Sequence, residues 1–284
     1  MLGMALTVSV AMLLTSCKKD EVNNNGNNNG NTENPGGGSG GGSGSGNQEY
    51  PPTAVVLPNA VTDIDGNHYD AVQIGNQVWM AENLRTTKYA DGTTIPMGST
   101  ESYTEPYRYV PGPEENSNEE YMVNVARYGY LYNWPAVMHG ASSSESNPSG
   151  VQGVCPNGWH VPSDAEWTQL TDYMKTQPAY FASGNANHLA KALAATWGWD
   201  NSDETDAPGN NLSTNNATGF SVLPAGYYVG IYYYFSRNAY FWSTTENDYE
   251  DIYAYYHGLH SDDPNVYMGD YFKSNGFSVR CVRD

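Results

Sequence analysis

Four residues near the end of the chain carry side chains that commonly bind divalent metal ions. His257 and His260 are followed by Asp262 and Asp263, so two imidazoles and two carboxylates lie close together in the sequence. Such groups at short spacing can ligate zinc, and carboxylates can also ligate calcium. These four residues are candidate ligands of a metal ion, and a polar turn between strands is the favoured explanation of the segment. We expect no cofactor to be required; calcium or zinc is the divalent cation that this segment could hold.

A second set of residues could bind a ligand through aromatic rings and polar groups. Three consecutive tyrosines lie between Ile231 and Phe235, and strand alternation would place Tyr232 and Tyr234 on one face. Phenol rings stack on sugar rings, while amides and carboxylates bind hydroxyl groups. The expected ligand-binding residues are Tyr232, Tyr234, Asp248, Tyr249 and Asn265. Packing of the rings within the core is the alternative explanation.

The sequence contains none of the common catalytic motifs in a credible setting. It has no H-E-x-x-H segment of a zinc protease and no phosphate-binding P-loop. Glycine-rich residues 36–41 formally match a nucleophile elbow, but no strand and helix flank them. The segment from Asp63 to Asn67 begins like a calcium loop, yet Asp65-Gly66 is better explained as a hairpin turn.

The first 17 residues predict export and attachment to lipid. Residues 2–16 form an apolar run of about 15 residues, which suits a signal peptide and is shorter than a membrane span. The run ends in Leu-Thr-Ser-Cys at Cys17, which resembles the bacterial lipobox, where the cysteine is acylated and becomes the first residue of the mature protein. An ordinary secretory signal with an incidental Cys17 is the alternative.

The residues after Cys17 predict a destination and a tether. Residues 18–21, Lys-Lys-Asp-Glu, resemble the signals that carry some gram-negative lipoproteins to the outer surface; a solvated charge cluster is the alternative. We therefore expect a protein held in the outer-membrane bilayer by acyl chains on Cys17 and facing the cell exterior. Residues 18–59 are mostly Asn, Gly, Ser and Pro, a composition that predicts a flexible tether.

Residues 60–284 have the composition of one folded head. They contain 27 of the 31 acidic residues and all seven tryptophans, and the whole chain has a net charge of −19. A strongly acidic surface repels phosphate backbones, so nucleic acid is excluded as a partner. The aromatic side chains provide the apolar area that a core of this size needs.

The local patterns of the head predict an α+β fold. Asp65-Gly66 and Gly75-Asn76 have the composition of tight hairpin turns. Ser163 and Glu166 form a capping box before an apolar helical stripe, and a similar stripe predicts a second helix at residues 186–197. Strands are predicted within residues 220–224, 227–235, 240–243, 253–256 and 277–282. Cys155 and Cys281, the two cysteines of the head, predict a disulfide in an exported protein, with two buried thiols as the alternative.

Four segments together resemble a known domain family. They are QVWMAENL at residues 77–84, GYLYNW at 129–134, CPNGWHVPSDAEW at 155–167 and GFSVRCVR at 276–283. The chain resembles the Fibrobacter succinogenes major paralogous domain over essentially all of residues 60–284. The third and fourth segments are also similar to the formylglycine-generating, sulfatase-modifying-factor group. This resemblance implies a C-type lectin-like fold, with short helices, small antiparallel sheets, long loops and neighbouring N- and C-terminal strands.

The resemblance also bears on activity. Sulfatase-modifying-factor enzymes use a reactive cysteine pair to hold copper, and no cysteine remains in the head for catalysis beyond Cys155 and Cys281. Asp263-Pro264-Asn265 is similar to a Glu-Pro-Asn segment that holds calcium and sugar in some C-type lectins, although its companion motif stands in the wrong order. We therefore expect a non-catalytic binding module for a surface glycan or protein, with a role in adhesion. The alternatives are a structural subunit or cap of a fimbria-like assembly and, less favoured, a sulfatase-modifying-factor-like enzyme.

Overall fold

The computed structural model describes residues 54–112 and 118–284. The predicted signal peptide, Cys17 and most of the predicted tether lie outside the described residues. The strands are β1 Val55–Thr62, β2 His68–Ile74, β3 Gln77–Met80, β4 Arg108–Tyr109, β5 Leu131–Tyr132, β6 Trp159–His160, β7 Tyr227–Val229, β8 Ile231–Tyr233, β9 Asn238–Glu246, β10 Tyr253–His260, β11 Tyr267–Phe272 and β12 Val282–Arg283. The α-helices are α1 Asn118–Tyr128, α2 Trp134–Met138, α3 Asp164–Lys175 and α4 Ala190–Leu193.

The largest sheet joins the beginning of the head to its end. Its strand order is β1-β2-β3-β12-β6, and every neighbouring pair is antiparallel. Val282 of β12 lies opposite Trp79 of β3, so the last strand of the head pairs with the third. Both predicted hairpin turns are confirmed, since Gly66 and Gly75 have left-handed φ angles of 81° and 61° at the two connections.

The head begins earlier than the composition predicted. Strand β1 starts at Val55, before the expected boundary at residue 60, and its residues Val56 and Leu57 pair with Val72 and Ala71. Pro58 and Asn59 have the composition of the tether but lie where the strand register shifts. Residues 55–59 of the predicted tether therefore lie within strand β1, because pairing with β2 overrides local composition.

A second sheet and two small hairpins complete the α+β fold. The second sheet has the order β11-β10-β9, while β4 pairs with β5 and β7 with β8. Strands β9 and β10 include the predicted strands at residues 240–243 and 253–256. The predicted strand at 220–224 is only a single bridge between Val222 and Ala194. The predicted strand at 227–235 is a tight hairpin instead, because Gly230 turns the chain with a φ angle of 75°.

One of the two predicted helices is confirmed at full length. Helix α3 begins with the capping box of Ser163 and Glu166 and buries one face. The predicted helix at residues 186–197 is a single turn, α4, because Ala194 turns to an extended conformation and bridges Val222. Helix α1 was not predicted. Among the described residues, no helix is both long enough and apolar enough to cross a membrane.

The predicted disulfide forms between Cys155 and Cys281. Their Cα atoms lie 5.9 Å apart, and 126 positions separate them in the sequence. The bridge joins the segment before β6 to the segment before β12, and both cysteines are buried in the core. Closing a loop of this length stabilises the fold by about 4–5 kcal/mol in the chain-entropy model.

Candidate functional site

The structure separates the residues of the predicted metal site. His257 is fully buried, its Nε2 lies 2.8 Å from Asp164 Oδ1, and its ring stacks on Trp167. Burial lowers the pKa of His257, and the hydrogen bond to Asp164 offsets only part of that effect. This imidazole therefore packs as a neutral ring beneath helix α3.

The other three residues of the predicted metal site lie beyond His257 along the chain. His260 stacks on Tyr267, and burial lowers the pKa of His260 despite the nearby carboxylates of Asp262 and Asp263. Asp262 Oδ2 lies 3.9 Å from Arg237 Nη2. Because three positions separate the two histidines on β10, their side chains point to opposite faces of the strand.

Asp263 is engaged within its own turn. Its carboxylate accepts hydrogen bonds from the amide and side chain of Asn265 and from the Tyr267 hydroxyl. In the part of the chain that the structure describes, no group of three or more His, Cys, Asp or Glu side chains is placed to hold a metal ion. Calcium or zinc binding by this segment stays a prediction.

The tyrosines of the predicted ligand site do not share a face. Tyr232 packs on Tyr228 with ring centroids 5.0 Å apart, whereas Tyr234 lies beside Tyr227 and Tyr233. The expected alternation ends because β8 stops at Tyr233 and Tyr234 has a left-handed φ angle of 55°. Tyr232 and Tyr234 therefore belong to different ring clusters.

The polar residues of that predicted site lie at opposite ends of strand β10. Asp248 and Tyr249 are in the loop that leads into β10, and Asn265 is in the loop that follows it. A strand of eight residues spans about 25 Å, so these groups cannot contact one small ligand together. Tyr249 is 92% exposed and remains a candidate contact residue by itself.

A cavity elsewhere in the head brings several rings together. It has a volume of about 420 Å³, within the usual range of ligand sites. We call it the ring pocket, and its principal wall residues are Tyr89, Tyr103, Trp134, His139, Ile252 and Lys273. Pro106, Pro135 and Met138 add apolar surface to the same walls. Aromatic and aliphatic walls of this kind favour a ligand with a flat apolar face.

Asn133 positions two walls of the ring pocket. It is fully buried and caps helix α2, where its Oδ1 accepts hydrogen bonds from the Ala136 and Tyr107 amides. Its Nδ2 donates to the carbonyls of Ser102 and Glu105, which hold the Tyr103 loop beside α2. This role of Asn133 was not predicted, although an Asn followed by Trp-Pro is a recognisable helix start.

The end of helix α2 places an imidazole against a tyrosine. His139 is the C-cap residue and has a left-handed φ angle of 51°. Its ring stacks on Tyr89 with centroids 3.5 Å apart and planes inclined by 4°. Tyr89 is 1% exposed, and its hydroxyl has no hydrogen-bond partner among the described residues. Burial, together with the charge of Asp91, raises the pKa of Tyr89, so its hydroxyl stays protonated.

Lys273 provides a positive charge in the wall of the ring pocket. Its Nζ lies 4.4 Å from the centroid of the Trp134 ring, a cation–π distance. The same ammonium donates hydrogen bonds to Glu246 Oε1 and to the Asp251 carbonyl. Trp134 is fixed in turn, because its Nε1 donates to the Ser243 carbonyl. These bonds tie the pocket to strand β9 and to the loop before β10.

Tyr103 is the most accessible ring of the pocket. It is 47% exposed, and its ring lies edge-on to Phe272 at 6.3 Å. An incoming ligand would therefore meet Tyr103 and His139 before the more deeply buried Trp134. The arrangement can stack on a ring and exclude water from its inner walls, which are the requirements of a binding site.

A buried histidine, His160, lines a second cavity of about 380 Å³. His160 is buried, and its two ring nitrogens lie 2.7 Å from Glu166 Oε1 and from Asp284 Oδ1. Burial alone would lower the pKa of His160, but hydrogen bonds to the two carboxylates raise it above its ordinary value. Since both nitrogens are occupied, this imidazole holds the structure together and is not poised as a catalytic base.

Comparison with known proteins identifies the domain. The family model of the Fibrobacter succinogenes major domain matches residues 72–283 of this chain. The matched span contains both cysteines of the disulfide and all the wall residues of the ring pocket. No curated protein and no solved structure matches the chain.

Proposed function

The chain belongs to the Fibrobacter succinogenes major domain family, and we propose that it is a cell-surface lipoprotein whose head is a non-catalytic, glycan-binding module. Family membership assigns the domain, while the proposed function rests on the ring pocket. One observation carries it: exposed and buried rings line one cavity of sufficient size for a ligand.

The chemistry of the walls supports a saccharide ligand. Sugar rings present apolar C–H faces, which stack on aromatic side chains such as Tyr103 and His139. Ligand hydroxyl groups can form hydrogen bonds with polar side chains in the walls of the pocket, such as Asp251. Both kinds of contact are combined at this cavity.

Two further proposals concern the fold type of the head and its need for a cofactor. We propose that the α+β head is of the C-type lectin-like type, in keeping with its small antiparallel sheets and the pairing of β3 with β12. The proposed binding needs no cofactor, and a divalent cation at His257, His260, Asp262 and Asp263 would be an addition to it. The proposed partners are a surface glycan and, through Cys17, the outer-membrane bilayer.

Substitution of the accessible rings tests the proposed site. The purified head is screened on a glycan array, and the strongest ligand is then titrated by calorimetry. Tyr103→Ala and His139→Asn should each weaken binding about 3–10-fold, because a stacked ring contributes about 0.5–1.5 kcal/mol. Asn tolerates the left-handed backbone of residue 139, so the second variant removes the ring with little strain.

Tyr249→Ala is the comparison variant that distinguishes the ring pocket from the loop before β10. It removes an exposed tyrosine that lies outside the ring pocket, so it should leave the affinity unchanged. A larger loss for Tyr249→Ala than for Tyr103→Ala would move the site to the loop before β10. An array without any bound glycan would contradict the proposed function itself.

A further inference from the structure

The positive charge of Lys273 in the wall of the ring pocket is paired with a carboxylate of the protein. Lys273 is buried, and its ammonium is paired with Glu246, which is 39% exposed at the edge of strand β9. The Asp251 carbonyl accepts a second hydrogen bond from the same ammonium. The positive charge of Lys273 is therefore already neutralised and hydrogen-bonded within the protein.

Two further carboxylates lie near the same cavity. Asp251 is one of its wall residues, and Asp91 Oδ2 lies 3.8 Å from His139 Nε2. Hydrogen bonds from Thr93, followed by the charge of His139, lower the pKa of Asp91, which keeps it ionised at neutral pH. Three carboxylates therefore lie in or beside the walls of the pocket: Glu246 contacts Lys273, Asp251 is a wall residue and Asp91 lies beside His139.

We infer that Glu246 determines the charge selectivity of the ring pocket, which accepts uncharged saccharides and rejects uronic acids. This inference rests on the proposed glycan-binding function. A uronic acid carries a carboxylate that must give up part of its hydration to enter the pocket, and it needs a cationic partner in return. Glu246 already occupies Lys273, while Asp251 and Asp91 repel a further negative charge.

The pair of Glu246 and Lys273 also predicts how selectivity can be changed. Glu246→Gln keeps the shape and a hydrogen-bond acceptor but removes the negative charge beside Lys273. The ammonium could then serve an incoming carboxylate, so the affinity for uronic acids should rise about tenfold or more. Adding Lys273→Met to this variant should abolish the gain, because the cation is then lost.

The test uses the purified full chain and matched pairs of neutral and uronic-acid oligosaccharides of the same linkage, measured by array and calorimetry. The wild type should bind the neutral members, and Glu246→Gln should gain the acidic ones. Glu204→Gln, which changes an exposed carboxylate outside the ring pocket, should behave as the wild type. Thermal melting of each variant verifies that it is folded.

The outcomes separate this inference from the proposed function. Equal binding of neutral and acidic members by the wild type, or no gain in folded Glu246→Gln, would overturn the inference and leave glycan binding in place. If Glu246→Gln fails to fold, Glu246→Ala takes its place, because it removes the same charge: a gain in uronic-acid binding supports the inference, and no gain overturns it. If the wild type binds no oligosaccharide of either kind, the proposed function fails and the inference fails with it.

Discussion

His160 connects three separate segments of the head through one side chain. It lies on β6, and it binds Glu166 at the start of α3 and Asp284 after β12. The carboxylates stabilise the protonated imidazole more than burial opposes it, so the pKa of His160 is raised in the folded protein. A group of this kind makes the stability of the protein depend on pH.

The sign of that dependence follows from the raised pKa. The stabilising contribution of His160 is complete below the ordinary histidine pKa of about 6.5, and it is lost as the pH rises through the folded value. Urea unfolding between pH 5 and 9 should show this decline in the wild type. His160→Gln should lower the free energy of unfolding by about 1–3 kcal/mol at pH 5.5 and by less at pH 8.

His257 provides an internal comparison for this experiment. Its pKa is lowered, so its contribution is present above pH 6.5 and is lost as the pH falls. Because both the wild type and His160→Gln retain His257, its effect cancels in their difference. A difference in stability that stays constant from pH 5 to 9 would show that His160 does not titrate as expected.

In helix α3, the capping box that the sequence predicts also makes the tertiary contacts that hold the start of the helix. Ser163 is buried and accepts a hydrogen bond from the Glu166 amide, while Glu166 Oε2 accepts one from the Ser163 amide. The same carboxylate oxygen accepts from the Ser149 amide. The capping box therefore fixes both the start of the helix and the loop beside it.

Removal of the cap should destabilise the head measurably. Ser163→Ala should lower the free energy of unfolding by about 1–2 kcal/mol, since it removes the acceptor for the Glu166 amide at a buried position. Thr168→Ala, on the exposed face of the same helix, should change it by less than about 0.5 kcal/mol. Urea unfolding followed by circular dichroism measures both, and equal effects would argue against the role of the cap.

At the scale of the whole molecule, the proposed anchor and tether determine where the ring pocket can act. Residues 18–59 have a flexible composition, and a coil of about 40 residues has a mean reach of about 30–40 Å. A head on such a tether could reach ligands beyond the immediate membrane surface. Cys17 and residues 18–53 lie outside the described residues, so the arrangement is tested by chemistry on the intact chain.

Acylation of Cys17 is the prediction at this scale. In a gram-negative host fed with alkyne-labelled palmitate, the full chain should be labelled and should fractionate with the outer membrane. Cys17→Ser should lose the label. The double variant Lys18→Ala, Lys19→Ala should keep the label but reduce access of external protease to the head. A labelled Cys17→Ser variant would contradict the lipid anchor.

Local sequence patterns explain the parts of the fold that were predicted correctly. The hairpin turns at Gly66 and Gly75 and the capping box at Ser163 depend on neighbouring residues, so their composition is informative. The helix predicted at 186–197 failed because the extended backbone at Ala194 pairs with Val222, a contact that periodicity does not reveal.

The sequence by itself determined the family resemblance, the α+β class and the disulfide between Cys155 and Cys281. The tertiary structure decided which residues form a site. Strand alternation turned His257 inward to Asp164, and the length of β10 separated Tyr249 from Asn265. The ring pocket instead joins loops and helix ends from residue 89 to residue 273. Such contacts depend on the packing of distant segments around a common core, whereas sequence patterns report only neighbouring residues along the chain.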